Sequence, residues 1–150
     1  MGGYTTVVVG TDGSETSFRA VDRAATLARD SNATLVIACA YEPMPDRDVA
    51  RAQDVLGADA AYQVVGSAPA EDTVGRARDR AVAAGATKIE TLTVQGRPAD
   101  TLQSVVTDTK ADLLVVGNRG LNTLAGRIIG SVPLDVARRS EIDVLIVHTT

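Results

Sequence analysis

Apolar residues follow two rhythms along this chain. Short unbroken runs rich in Val, Leu and Ile alternate with longer stretches in which apolar positions recur every three or four residues. Thr5 to Gly10 is the first run and reads as a strand buried on both faces. Thr11-Asp12-Gly13-Ser14 turns it into a helix, with Ser14 as N-cap and Glu15 favourable to the helix dipole. Phe18, Val21, Ala25 and Ala28, with Ala24 and Leu27 beside them, share one face of that helix. Arg19, Asp22, Arg23 and Arg29 take the wet side, and Ser31-Asn32 ends it. Thr34 to Tyr41 is the second strand. A long helix opens at Pro69 and runs to Ala84, turning Thr73 or Val74, Ala77, Ala81 and Ala84 inward, with Gly85 as C-cap. On its outer side Arg76, Arg78 and Arg80 alternate with Glu71, Asp72 and Asp79, a solvated face.

Lys88 to Gln95 is the third strand. Gly96-Arg97-Pro98 breaks it, and Ala99 to Thr109 forms a helix with Leu102, Val105 and Val106 inward. Asp112 to Gly117 is the fourth strand. Val132 to Arg139 is a helix with Pro133 in its first turn, where a missing N–H costs nothing. Asp143 to His148 is the fifth strand. Strands alternating with helices predict an α/β fold: three layers, a doubly wound five-stranded parallel sheet and a single domain over 1–150. The expected order, 3-2-1-4-5, opens a crevice between the ends of strands one and four, where ligands of such sheets bind. The segment from Glu42 to Ser67 reads as a surface excursion, with a short helix over Val49 to Leu56.

The linker between the fourth strand and the last helix is the chemically suggestive stretch. Gly117, Gly120 and Gly130 let backbone come close to a ligand, and Ser131 adds a hydroxyl at a helix start whose N–H groups favour an anion. Arg119 and Arg127 bring two cations. The bland alternative stays open: the glycines are turn residues and Ser131 is an N-cap. Against it, the connection is long for a compact domain, and Leu121, Leu124, Ala125, Ile128 and Ile129 make it too apolar for a disordered loop.

The spacing Gly-x2-Gly-x9-Gly-Ser, complete at Gly117, Gly120, Gly130 and Ser131, resembles the nucleotide-binding signature of the universal stress protein family. The similarity extends through Val7-Val8-Val9-Gly10-Thr11-Asp12-Gly13-Ser14, Gly96-Arg97-Pro98-Ala99 and Asp143-Val144-Leu145-Ile146-Val147-His148, in the family's order. It implies an adenine nucleotide α-hydrolase-like fold holding ATP or cyclic AMP between the two strand ends. Asp12 and the backbone at Gly10, Thr11, Ala38 and Ala40 would take the nucleoside, the small Ala38, Cys39 and Ala40 leaving room for a flat base. Gly120, Gly130, Ser131, Val132 and the arginines, Arg119 and Arg127, would take the phosphate, with Val116, Gly117, Asn118 and Pro133 completing the nucleotide site and Mg²⁺ accompanying ATP. For Asp12 a structural alternative stands beside the ligand role, an Asx turn that ties the bend together.

Composition narrows the function. The net charge of −4 argues against binding a nucleic-acid backbone. No apolar run is long enough for a transmembrane helix. Cys39 is the single cysteine, so no intrachain disulfide forms and the cytoplasm fits. With one His and one Cys, a zinc site or Cys–His catalysis is excluded, and no Gly-x4-Gly-Lys-Ser/Thr is present. No base or lysine stands beside the glycine linker, so slow ATP hydrolysis is the most chemistry expected and no catalytic or metal residue is assigned. Val144 to Val147 is too apolar for a bare sheet edge, which predicts a homodimer through the last strand, Asp143 to His148. The competing readings are a ligand-independent interaction protein and a small hydrolase of similar fold.

Overall fold

Val7, Val8 and Val9 are all fully buried, which sets the first strand at the centre of a sheet covered on both faces. The computed structural model describes residues 3–42, 64–118 and 131–149. In chain order the elements are β1 (Thr6–Gly10), α1 (Glu15–Ser31), β2 (Thr34–Glu42), β3 (Val64–Val65), α2 (Ser67–Ala83), β4 (Ile89–Gln95), α3 (Pro98–Thr109), β5 (Leu113–Gly117), α4 (Ser131–Arg139) and β6 (Asp143–Val147). Every strand pair is parallel. The long strands run β4-β2-β1-β5-β6, the order expected from the sequence once the two-residue β3 is set aside. Among the described residues no helix is long and apolar enough to cross a membrane.

The two faces are built from alternate residues of the same strands. Val7, Val9, Leu35, Ile37, Leu113 and Val115 point to one side and meet Phe18, Val21, Ala24 and Ala25 of α1 and Ala77 and Ala81 of α2. Val8, Val36, Leu114 and Val116 point to the other and meet Leu102, Val105 and Val106 of α3 and Val136 of α4. Small alanines on the first pair of helices let them lie close on the sheet. The pair is pinned outside the core by Arg80, which holds Asp22 at 2.6 Å and Glu15 at 3.2 Å and lies over the ring of Phe18. The face read as merely solvated therefore contains an interhelix clamp.

Helix ends follow their local chemistry. Ser14 caps α1 by accepting the N–H of Ser17 at 3.1 Å, and Asn32 closes it in the left-handed region. α2 starts two residues ahead of Pro69, which still lies in the first turn, and Gly85 follows its end at a φ of +103°. α3 takes Pro98 into its first turn and ends on Lys110 at a φ of +54°, with no glycine to announce it. The segment after β2 returns to the sheet at β3, which the sequence did not announce. Tyr41 pairs with Gln95 on one side and Val64 on the other, so β3 sits on the flank where β1 has already ended at Gly10. The short helix expected over Val49 to Leu56 lies outside the described residues.

Candidate functional site

β1 and β5 are neighbours in the sheet, with Val9 opposite Val115, but the chain leaves them in opposite directions. From β1 it turns into α1 on one face; after β5 it re-enters as α4 on the other. The gap between the two strand ends is the topological switch point of the sheet. Gly10, Thr11 and Asp12 border it on one side, and Gly117 and Asn118 on the other.

The β1 side is closely hydrogen-bonded. Thr11 N–H donates to the carbonyl of Ala38 at 3.0 Å, carrying the strand ladder one residue past Gly10. The Thr11 hydroxyl is buried against that of Ser17 at 2.6 Å and accepts the N–H of Gly13 at 3.1 Å. Asp12 Oδ1 accepts the N–H of Ser14 at 2.9 Å, so the Asx turn forms. Its other oxygen makes no hydrogen bond among the described residues, and the side chain is partly exposed. The two readings of Asp12 are thus compatible: one oxygen holds the turn and the other remains an acceptor.

Small residues shape the floor. Ala38 and Ala40 are buried near the end of β2. A Cβ on Gly10 would stand 3.0 Å from both methyls of Leu102, so glycine there lets α3 close on the strand. Cys39 points to the α1 face and is fully buried. Burial, and after it the negative charge of Asp12, pushes its thiol up to about 12.

The two helix starts beside the gap differ in charge. α1 is already satisfied by Ser14 and carries Glu15 in its first turn. α4 has no acidic residue in its first turn, Ser131-Val132-Pro133-Leu134, and Pro133 is buried there. With no acid in that turn, nothing there offsets the positive end of the helix dipole. On the β5 side Val116 and Gly117 are buried in the strand end. Asn118 N–H donates to the carbonyl of Val147 at 2.8 Å, and its side chain is 5 % exposed and bonded to Thr149.

Of the residues expected to line a nucleotide site, Gly10, Thr11, Asp12, Ala38, Ala40, Val116, Gly117 and Asn118 come together at neighbouring strand ends, with Val132 and Pro133 opening the helix that follows. Arg119, Gly120, Arg127, Gly130 and the side chain of Ser131 lie outside the described residues. Ser17 and Thr149 were not anticipated. Ser17 lies one residue before the apolar face of α1, and nothing in the sequence pairs its hydroxyl with Thr11.

The universal stress protein family model matches residues 3–148. Universal stress protein Rv1636 of Mycobacterium tuberculosis is 53% identical over the full length of both chains. A crystal structure of a universal stress protein in complex with cAMP is 51% identical, covers 99% of each chain and superposes with a TM-score of 0.77. The universal stress protein from Archaeoglobus fulgidus in complex with dAMP shares the fold alone, at 19% identity and a TM-score of 0.68, with 97% of this chain and 98% of that one covered. On the family match and the full-length identity, with the observed strand order in agreement, this chain belongs to the universal stress protein family.

Proposed function

We propose that this protein binds an adenine nucleotide in the crevice between β1 and β5, with cyclic AMP as the leading ligand and ATP as the alternative. The observation that carries the reading is the 51% identical structure in complex with cAMP, which covers 99% of this chain. The geometry supports it. Ala38 and Ala40 leave a shallow floor for a base, Asp12 keeps one carboxylate oxygen for a ribose hydroxyl or a base amine, and α4 begins with a turn that carries no acid to repel the phosphate. Cyclic AMP brings one negative charge, which a few amides can meet. ATP would draw on the arginines of the glycine linker and on Mg²⁺.

In this reading the protein is a binder rather than a dedicated enzyme, working in the cytoplasm as a sensor or sink of its nucleotide in a stress response. Its β6 edge, half-buried from Val144 to Val147, pairs with a second copy. The deciding experiment is calorimetric titration of nucleotide-stripped protein with cyclic AMP and, separately, with ATP and Mg²⁺. Tighter cyclic AMP binding supports a messenger sink or sensor, tighter ATP binding supports an energy-state sensor, and heat from neither overturns the proposal. Light scattering at micromolar concentration checks the dimer.

A further inference from the structure

Asn118, the residue after Gly117, is held by three consecutive residues of the segment leaving β6. Its N–H donates to Val147 O at 2.8 Å. Its Oδ1 accepts both the N–H and the hydroxyl of Thr149, at 2.9 and 3.0 Å, and its Nδ2 lies 3.4 Å from Nδ1 of His148. Thr149 is 1 % exposed, and its carbonyl accepts from Arg19 Nη1 at 3.0 Å, which ties the same segment to α1.

The donors and acceptors fix the state of this cluster. A backbone N–H can only donate, so the amide atom facing Thr149 is the oxygen. The NH₂ group therefore faces the imidazole, and Nδ1 can accept from it only while it carries no proton. A protonated Nδ1 would be a donor aimed at a donor. Asn118 cannot answer by turning its amide over, because that would set its NH₂ against the N–H of Thr149.

We propose that Thr149 and His148 are positioning residues for the crevice. They hold Asn118, and with it the Gly117 wall, in the geometry that binds nucleotide. The inference rests on the nucleotide-binding reading above. Neither residue touches the nucleotide in this scheme; both act through Asn118.

The test pairs binding with a readout on the free protein. Cyclic AMP and ATP with Mg²⁺ are titrated calorimetrically into wild type and variants. Thr149→Val, which removes one donor to Asn118, should weaken binding about fivefold, and Thr149→Ser should restore it. His148→Ala, which removes the acceptor facing the Asn118 NH₂, should weaken binding in the same direction. In parallel, the side-chain NH₂ resonances of Asn118 are followed by NMR without ligand. They should move in Thr149→Val and in His148→Ala and return to their wild-type positions in Thr149→Ser. Absence of binding by wild type would sink the nucleotide reading while the NMR comparison still judges the latch. Asn118 resonances unmoved in both variants, or wild-type affinity in both, overturns the proposal.

Discussion

The carboxylate of Asp112 clasps the amide of Thr5, whose N–H lies 3.1 and 3.0 Å from its two oxygens. Oδ2 also accepts the Thr5 hydroxyl at 3.3 Å, and Oδ1 the N–H of Thr6 at 3.0 Å. One side chain thus fastens the foot of β5 to the foot of β1, at the end of the sheet away from the crevice. Partial burial pushes the carboxyl's pKa up, but the donors from Thr6 and Thr5 together outweigh it and hold the group below the ordinary range.

The sign of the pH effect follows. A lowered folded pKa means that Asp112 stabilises the fold fully above the unfolded value, near about 3.9, and that the contribution drains away as pH falls through the lower folded value. At neutral pH Asp112→Ala is expected to cost about 1–2 kcal/mol, kept modest by the side chain's exposure, and Asp112→Asn less, since it retains an acceptor. Urea unfolding across pH checks this. The gap between wild type and Asp112→Ala should be level above about pH 5 and shrink below about pH 4, whereas a gap persisting to strong acid would contradict the assignment.

Two glycines, one inside a helix and one in a turn, should respond in opposite directions. Gly75 lies on the exposed side of α2, and a Cβ there would meet nothing within 4 Å. Gly75→Ala should stabilise the protein by about 0.5–1 kcal/mol, as alanine loses less backbone freedom in a helix. Gly13 has a φ of +88°, and its Cβ would stand 2.8 Å from the Thr73 hydroxyl. Gly13→Ala should cost about 1–3 kcal/mol. Thermal unfolding of the two variants reads both effects.

Cys39 should be silent to thiol reagents in the native protein. With its thiol pushed up to about 12 by burial and then by Asp12, only about one molecule in a thousand would carry a thiolate at pH 9. Ellman's reagent is expected to label it only on unfolding. Labelling of native protein as fast as that of a free thiol would mean that β2 opens readily at its crevice end.

The parts of this fold that could be read in advance are those whose signals are local. The valines of β1, the apolar stripe of Phe18, Val21 and Ala25, and the Ser14 cap each rest on neighbours a turn or less away. The parts that escaped depend on distant partners or carry no distinctive residue. Val64-Val65 is a strand only because Tyr41 and Glu42 pair with it. Lys110 ends α3 in a conformation that glycine usually signals. Arg80 looked solvated because Asp22 lies 58 positions away. Within the site, Thr11-Asp12 and Gly117-Asn118 were legible as strand exits, but the bonds of Asn118 to Thr149 span 31 positions and leave no local trace.

The double role of Asp12 can be separated by one isosteric change. Its Oδ1 holds the Ser14 N–H, and its other oxygen makes no hydrogen bond among the described residues. Asp12→Asn keeps a carbonyl oxygen for the turn and replaces the second acceptor by an NH₂ group, which repels the hydroxyl or amine donors of a nucleoside. Stability should therefore change by no more than about 0.5 kcal/mol, while nucleotide affinity falls by about tenfold or more, as for a lost charged hydrogen bond. Asp12→Ala removes both functions, so it should lose affinity to a similar degree and in addition about 1 kcal/mol of stability from the broken turn. Calorimetric titration with cyclic AMP, beside urea unfolding of the same samples, measures the two effects separately. Equal affinities for wild type and Asp12→Asn would confine Asp12 to the turn and move the nucleoside contacts to the backbone of Thr11 and the alanines of β2.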